Sequence, residues 1–402
     1  MMRDGMFRSC PILLPAAALF GAALAVASPS AAQQAVPCSS LPFPVYVTGS
    51  SAVKPFLAEL AKVLSASTPP ISIVYQGQGS CSGVAAFFGG APLTGAGLST
   101  WDADTERLCD ADPDGSPIDV AVSDVFATTC DAAFTTSSTI SDFTGPIQPM
   151  TFVVPNASTQ ASISAEAAYF VYGFGQGSGV APWVDERFIF QRNAGSGTQQ
   201  MMAAAIRVPA SRWLGAPTAS SDDMRSSVAF STDAERTIGV LGANVASESA
   251  SLLKVLAYQH YDQRCGYYPD SDPLKRDKRN VRDGHYAIWG PLHFLTHVSI
   301  NTGAPLSDGA ALVIDYLTGR KQPPAGLDLI KLEAQHDVVP ECAMRVRRTE
   351  EMGPLASFMP TRSCWCYFDA VAGGGADCAP CDSDADCPSD APKCNFGYCE
   401  PQ

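Results

Sequence analysis

Short apolar runs alternate with amphipathic stretches along most of the chain. Pro44-Val-Tyr-Val-Thr48 has β character and ends at Gly49-Ser-Ser51, after which Phe56, Leu57, Leu60 and Leu64 recur at helical spacing. Ile71-Ser-Ile-Val-Tyr75 repeats the strand, ends in Gln76-Gly-Gln-Gly-Ser-Cys-Ser-Gly83 and passes into a helix-like Val84-Ala-Ala-Phe-Phe88. Residues 89–117, rich in Gly, Asp and Thr, break this rhythm and read as an excursion. A third strand, Ile118-Asp-Val-Ala-Val-Ser123, ends at Asp124. Strands that each end in small polar residues before a helix or loop predict an α/β sheet, in which ligands sit off the carboxyl ends of the strands.

Met150-Thr-Phe-Val-Val154 begins a second segment of the same kind, followed by a helix over 165–172. Arg187-Phe-Ile-Phe190 then runs into Gln191-Arg-Asn-Ala-Gly-Ser-Gly-Thr198, and Gln199-Gln-Met-Met-Ala-Ala-Ala-Ile-Arg207 has strong helix propensity. This is a strand, a turn and a helix start. The first N–H groups of a helix lack internal partners and carry the positive end of the macrodipole, so such a turn favours anions. Ser196 and Thr198 add hydroxyls, Gly195 and Gly197 allow close backbone approach, and Arg192 adds a fixed charge. Thr237-Ile-Gly-Val-Leu-Gly242 closes the segment. A helix over 252–261 is expected next, then a charged loop whose Lys275-Arg-Asp-Lys-Arg279 reads as solvated surface. His285-Tyr-Ala-Ile-Trp-Gly-Pro291 and a helix over 310–317 complete the body.

Composition narrows the function. The 402 residues suffice for two or three domains, and 46% apolar residues suit real cores. A net charge of −14 argues against nucleic acid as a partner, so any attraction for an anion must be built locally. The five histidines lack metal-ligand spacing, and neither a metal nor another cofactor is expected. Residues 1–32 have the basic start, apolar centre and small-residue end of a secretory signal rather than a membrane span. Their removal takes away Arg3, Arg8 and Asp4, leaving 24 basic and 39 acidic residues. The expected product is exported, to the periplasm or cell surface, an oxidising compartment with no membrane span left. Of 14 cysteines Cys10 leaves with the signal, and the odd remainder predicts one free or intermolecular thiol. Cys81 is expected to pair with Cys38, Cys109 or Cys130. From Ser363 onward, seven closely spaced cysteines mark a stapled module too small for its own apolar core.

Four stretches, in order and each at a strand end, carry a family resemblance. Thr48-Gly-Ser-Ser-Ala-Val-Lys-Pro55, Tyr75-Gln-Gly-Gln-Gly-Ser80, Ile118-Asp-Val-Ala-Val-Ser-Asp124 and Arg192 with Ser196-Gly-Thr198 resemble the ligand loops of the periplasmic phosphate-binding proteins that feed ABC importers. Ile238-Gly-Val240 is similar to the strand before that family's return crossover, and the likeness spans roughly 45–320. It implies an α/β, two-lobed type 2 periplasmic binding protein fold, each lobe a central sheet flanked by helices. Lobe 1 would comprise 45–148 and 247–320, and lobe 2 149–246. An extension, 321–362, would pack on lobe 1, and a disulfide-rich tail, 363–402, would follow. The implied protein is a monomeric receptor, not an enzyme, that binds phosphate or a related oxyanion and presents it to an ABC importer. Its implied ligand residues are Ser51, Ala52 and Val53 (the latter two through backbone N–H only), Ser80, Asp124, Arg192, Ser196, Gly197 and Thr198. Two departures bear on selectivity: Ala194 stands where the family usually has a second acid, and Ala52 and Val53 where it often has threonine.

Two other readings compete. Gly79-Ser-Cys-Ser-Gly83 has the outline of a nucleophile elbow, with Cys81 as the nucleophile of a hydrolase. The Cys-rich tail suits a surface adhesion or scaffold protein. Asp382-Ser-Asp-Ala-Asp386 opens like a calcium loop but fails, with Cys387 at the glycine position and Lys393 at the glutamate position.

Overall fold

Side chains alternate across a strand, so Val45 and Val47 pack on one side of theirs and Tyr46 on the other, and all three are buried. A strand apolar on both faces needs cover on both. The helix Lys54–Ser65 supplies one cover through Phe56, Leu57, Leu60 and Leu64, and the helix Ser80–Phe88 the other through Val84 and Phe87. The computed structural model describes residues 36–103, 105–373, 375 and 378–402, so the expected secretory signal lies outside the described residues.

The strands in chain order are β1 (Val36–Pro37), β2 (Pro44–Gly49), β3 (Ser72–Gln76), β4 (Leu98–Trp101), β5 (Glu106–Asp110), β6 (Val120–Ser123) and β7 (Ile140–Pro155). They continue with β8 (Ser162–Ser164), β9 (Phe190–Arg192), β10 (Ala216–Thr218), β11 (Gly239–Gly242), β12 (Leu253–Val255), β13 (Ala257–Gln259) and β14 (Trp289–His297). One mixed sheet runs β1-β5-β4-β3-β2-β6-β14-β7-β11, with β12 also on β7. β2 pairs in parallel with β3 and β6, so their carboxyl ends lie on one edge. The long β7 joins the two lobes: its first half pairs with β14, and its last residues pair with β11 and β12. β14 reaches back to pair with β6, so two antiparallel strands connect the lobes. The second core gathers Phe152, Val154, Tyr172, Met201, Met202, Trp213 and Val240, with Trp183 and Trp289 also buried in it.

Several expectations change. Residues 89–117 are not an excursion from the sheet: β4 and β5 extend it antiparallel, and the Cys38–Cys109 disulfide ties β5 to the start of the body. The second apolar run begins ten residues before Met150, because β7 is one continuous strand. Residues 252–261 form β12 and β13 rather than a helix. Leu253, Leu256 and Tyr258 fit either period, and the free edges of β7 and β8 decide the matter through pairing. The charged loop is not all solvated. Lys278 is fully buried between Asp270, at 2.7 Å, and Asp337. A cation this deep needs such partners.

Residues of the extension join both large cores: Val338 lies in the one with Phe56, and Val339, Ala343 and Met344 lie in the one with Phe152. The tail holds the disulfides Cys366–Cys378, Cys381–Cys394 and Cys387–Cys399, and Cys342–Cys364 fastens it to the extension. Arg282, fully buried, pairs with Asp369 from the tail and donates to the Ala343 carbonyl at 3.0 Å. Cys265 is the free cysteine among the described residues. No helix among them is long and apolar enough to cross a membrane.

Candidate functional site

The carboxyl ends of β2, β3 and β6 deliver three polar turns to one place. Ser50 Oγ donates to Asp124 Oδ1 at 2.6 Å, and Ser80 Oγ donates to Asp124 Oδ2 at 3.1 Å. The Asp124 N–H donates back to Ser80 Oγ at 3.1 Å. All three residues are buried. The Cys81–Cys130 disulfide fastens the helix that Ser80 begins to the short helix just after Asp124. That bond uses the Cys81 sulfur, which leaves the hydrolase reading without a thiolate.

The other lobe contributes Arg192, at the end of β9, and the start of the helix Gly197–Ile206. Ser196 caps this helix, its Oγ accepting from the Gln199 N–H at 3.4 Å. Thr198 is buried in the first turn, and its hydroxyl makes no hydrogen bond among the described residues. The two glycine turns meet through backbone: Cys81 N–H donates to the Gly195 carbonyl at 2.9 Å. Gly79 has φ +97°, and a Cβ there would sit 2.8 Å from that same carbonyl oxygen, so glycine answers both conformation and space. Gly197 lies still closer to the first lobe. A Cβ on it would meet Ser80 Oγ at 2.2 Å and Asp124 Oδ2 at 2.8 Å.

Arg192 is 2% exposed, yet it makes no ion pair with a carboxylate among the described residues. Its Nη1 donates to Ser221 Oγ at 3.0 Å, and its Nη2 to Ser51 Oγ and the Ala219 carbonyl, both at 3.3 Å. Its Nε is buried without a partner among the described residues. Burial pulls the guanidinium down to about 10, against the opposing fields of Asp124 and Asp223. Burial also pushes the Asp124 carboxyl above its ordinary value, while the Ser50 and Ser80 hydrogen bonds, Arg192 and His293 pull it back.

Ser51 thus faces Arg192 and lies 3.2 Å from Ser221 Oγ. Ala52 and Val53 sit behind this loop with buried side chains. The Ala52 N–H donates to Ser50 Oγ at 3.1 Å, and its carbonyl accepts from Asn244 Nδ2 at 2.6 Å. Ser80, Asp124 and Gly197 therefore come together directly, Ser51 and Arg192 adjoin each other, and the Ala52 N–H is already taken by Ser50 Oγ.

Sequence reasoning missed Ser50, Ser221 and Glu351. Ser50 was one residue from a chosen position. Ser221 follows Ser220, the cap of the helix Ser221–Ala229, and the Ser-Ser-Asp-Asp run was a readable helix start. Glu351 had no local signal. It comes from the extension, and its Oε2 accepts from the Phe126 N–H at 3.4 Å, two residues beyond Asp124. Arg348 anchors this segment by donating to the Trp289 carbonyl at 3.1 Å and the Ala287 carbonyl at 3.0 Å. Burial raises the Glu351 carboxyl to about 7, with Asp124 adding to the rise and His293, Arg348 and the Phe126 N–H opposing it.

No protein-family model matches the chain, and no curated protein does. Among solved structures, one from Clostridium perfringens, described as a phosphate ABC transporter substrate-binding protein with bound phosphate, aligns at TM-score 0.52 and 12% identity. The alignment covers 74% of this chain and 99% of that one. An ABC-type phosphate transport receptor from Vibrio cholerae gives TM-score 0.47 and 14% identity, over 74% of this chain and 99% of its own. At such identities the likeness is one of architecture: the chain has the two-lobed α/β fold of the phosphate ABC transporter substrate-binding proteins, with a disulfide-stapled C-terminal region added.

Proposed function

We propose that the protein is an exported receptor for a tetrahedral inorganic oxyanion, phosphate first, which it grips between two lobes and presents to an ABC importer. The lobes of this reading are 45–148 with 247–320, and 149–246. Arg192 carries the reading. Burying an unpaired cation costs several kcal/mol unless a counter-ion joins it, and Arg192 is surrounded by hydroxyls and a carbonyl instead of a carboxylate. An oxyanion is the missing counter-ion. The bound phosphate of the Clostridium protein with the same fold supports the choice.

Ser51, Ser196 and Thr198 would donate hydroxyl hydrogen bonds, Ser80 would hold Asp124 in place through the bond it already donates, and the first turn of the helix Gly197–Ile206 would supply its free N–H groups. Each bond to a charged group contributes about 1.5–3 kcal/mol. Four or five of them supply the roughly 8 kcal/mol of micromolar binding after ordering costs. Asp124 would set selectivity. A carboxylate accepts the proton that phosphate keeps near neutral pH and repels sulfate, which has none. With Ala194 in place of a second acid, this discrimination rests on Asp124 alone. The test is a thermal-shift series with phosphate, sulfate, arsenate and molybdate on the parent and on the Arg192→Ala/Ser196→Ala double variant. Phosphate should stabilise the parent and leave the variant unmoved; equal stabilisation of both would remove the assignment.

A further inference from the structure

Away from the interlobe site, a cleft of about 750 Å³ lies among the end of the helix Asp308–Leu317, the helix Leu329–Gln335, the stretch 358–362 and the tail. Its walls are largely apolar, with Leu317, Leu327, Ile330, Phe358 and Phe396 among them. They are held in place covalently and by stacking. Cys342, on the lining, is bonded to Cys364, and Tyr367 stacks on Phe396 with ring centres 5.7 Å apart. Tyr367 also donates its hydroxyl hydrogen to Asp328. A built cleft of this size and polarity is in the range of small-molecule sites.

Glu333 is its unusual member. It lines the cleft at 2% exposure, and its carboxyl has neither a hydrogen bond nor an ion pair among the described residues. Burial, with Asp328 nearby, raises this carboxyl well above its ordinary value. A buried carboxyl without a partner is costly, and the nearby structure offers none. The cations on the lining, Lys321 and Arg362, are both exposed, and Arg362 is turned to Phe396, with its guanidinium 4.2 Å from the ring centre. Two further acids, Asp328 and Glu341, also line the cleft. The deep end therefore calls for a donor or a cation, and the walls for an apolar body.

We propose that this cleft is a second ligand site, taking a small apolar molecule with a single protonated amine, and that Glu333 is the amine's partner at the buried end. An ammonium group brings three donors and a charge to the unpaired carboxyl, and the apolar body covers Ile330 and Phe358. The site is separate from the oxyanion reading and stands or falls without it.

Calorimetric titration of the mature full-length chain with 4-phenylbutylamine, 4-phenylbutanol and 4-phenylbutyrate tests this. The amine should saturate one site, the alcohol should bind at least about tenfold more weakly, and the carboxylate should not bind. Glu333→Gln should remove the preference for the amine over the alcohol. Ile330→Trp, which fills the cleft from a half-buried position, should block all binding. Thermal unfolding of both variants shows that they are folded. Absence of amine binding to the parent, equal binding of amine and alcohol, or an amine preference that survives Glu333→Gln would each overturn the proposal.

Discussion

Replacing Gly197 by alanine tests the proposed closure of the lobes separately from the stability of the fold. The added Cβ would stand 2.2 Å from Ser80 Oγ, 2.7 Å from Ser80 Cβ and 2.8 Å from Asp124 Oδ2. Ser80 is fully buried and holds Asp124 through two hydrogen bonds, so it has nowhere to yield without breaking them. Forcing one methyl group into packed surroundings costs about 1–3 kcal/mol. Under the proposed function Ser80 and Gly197 belong to different lobes, so that cost would fall on the arrangement closed on the anion and spare the lobes themselves. It corresponds to phosphate binding weakened by about 5- to 150-fold. Gly195→Ala is the control: its Cβ would meet Ser82 Oγ at 2.6 Å, the end of a half-buried side chain that can rotate away. Calorimetry with phosphate and thermal unfolding should show affinity lost and stability kept in Gly197→Ala, and little change in Gly195→Ala. If Gly197→Ala binds within about twofold of the parent, the two turns do not meet on the ligand and the reasoning fails.

Further outcomes follow from buried charges. Burial takes Glu351 from 4.5 to about 7, so its contribution to stability is fully present below pH 4.5 and is lost as pH rises through 7. Glu351→Gln should match the parent in urea unfolding at pH 4 and exceed it by about 1–3 kcal/mol at pH 8, allowing for partial solvent screening. Parallel pH profiles for the two proteins would contradict this. Lys278→Met leaves Asp270 without its cation and Asp337 with Arg276 alone. It should cost about 3–5 kcal/mol in urea unfolding, and a loss under about 1 kcal/mol would show that the buried network carries little.

The legible part of the fold was the part set by local pattern. Val45 and Val47 opposite Tyr46, and the helical spacing of Phe56, Leu60 and Leu64, announced a sheet covered by helices, and the structure has it. Pairing across the chain was not legible. Whether Leu253-Lys-Val255 becomes helix or strand depends on a free edge of β7 about a hundred residues earlier, which no local period records. Lys278 looked like surface because its partners, Asp270 and Asp337, lie 8 and 59 residues away. At the candidate site the turns that end strands were readable from small polar residues. The contribution of the extension was not: Glu351 reaches the backbone beside Asp124 from 225 residues away.

Titration of the protein with phosphate at neutral pH, with sulfate run alongside, tests the central claim most directly. One phosphate per chain should bind at micromolar affinity with sulfate at least about tenfold weaker, because Arg192 receives its counter-ion and Asp124 the anion's proton. No heat of binding from either ion would contradict the account, and a tighter hold on sulfate would contradict the role given to Asp124.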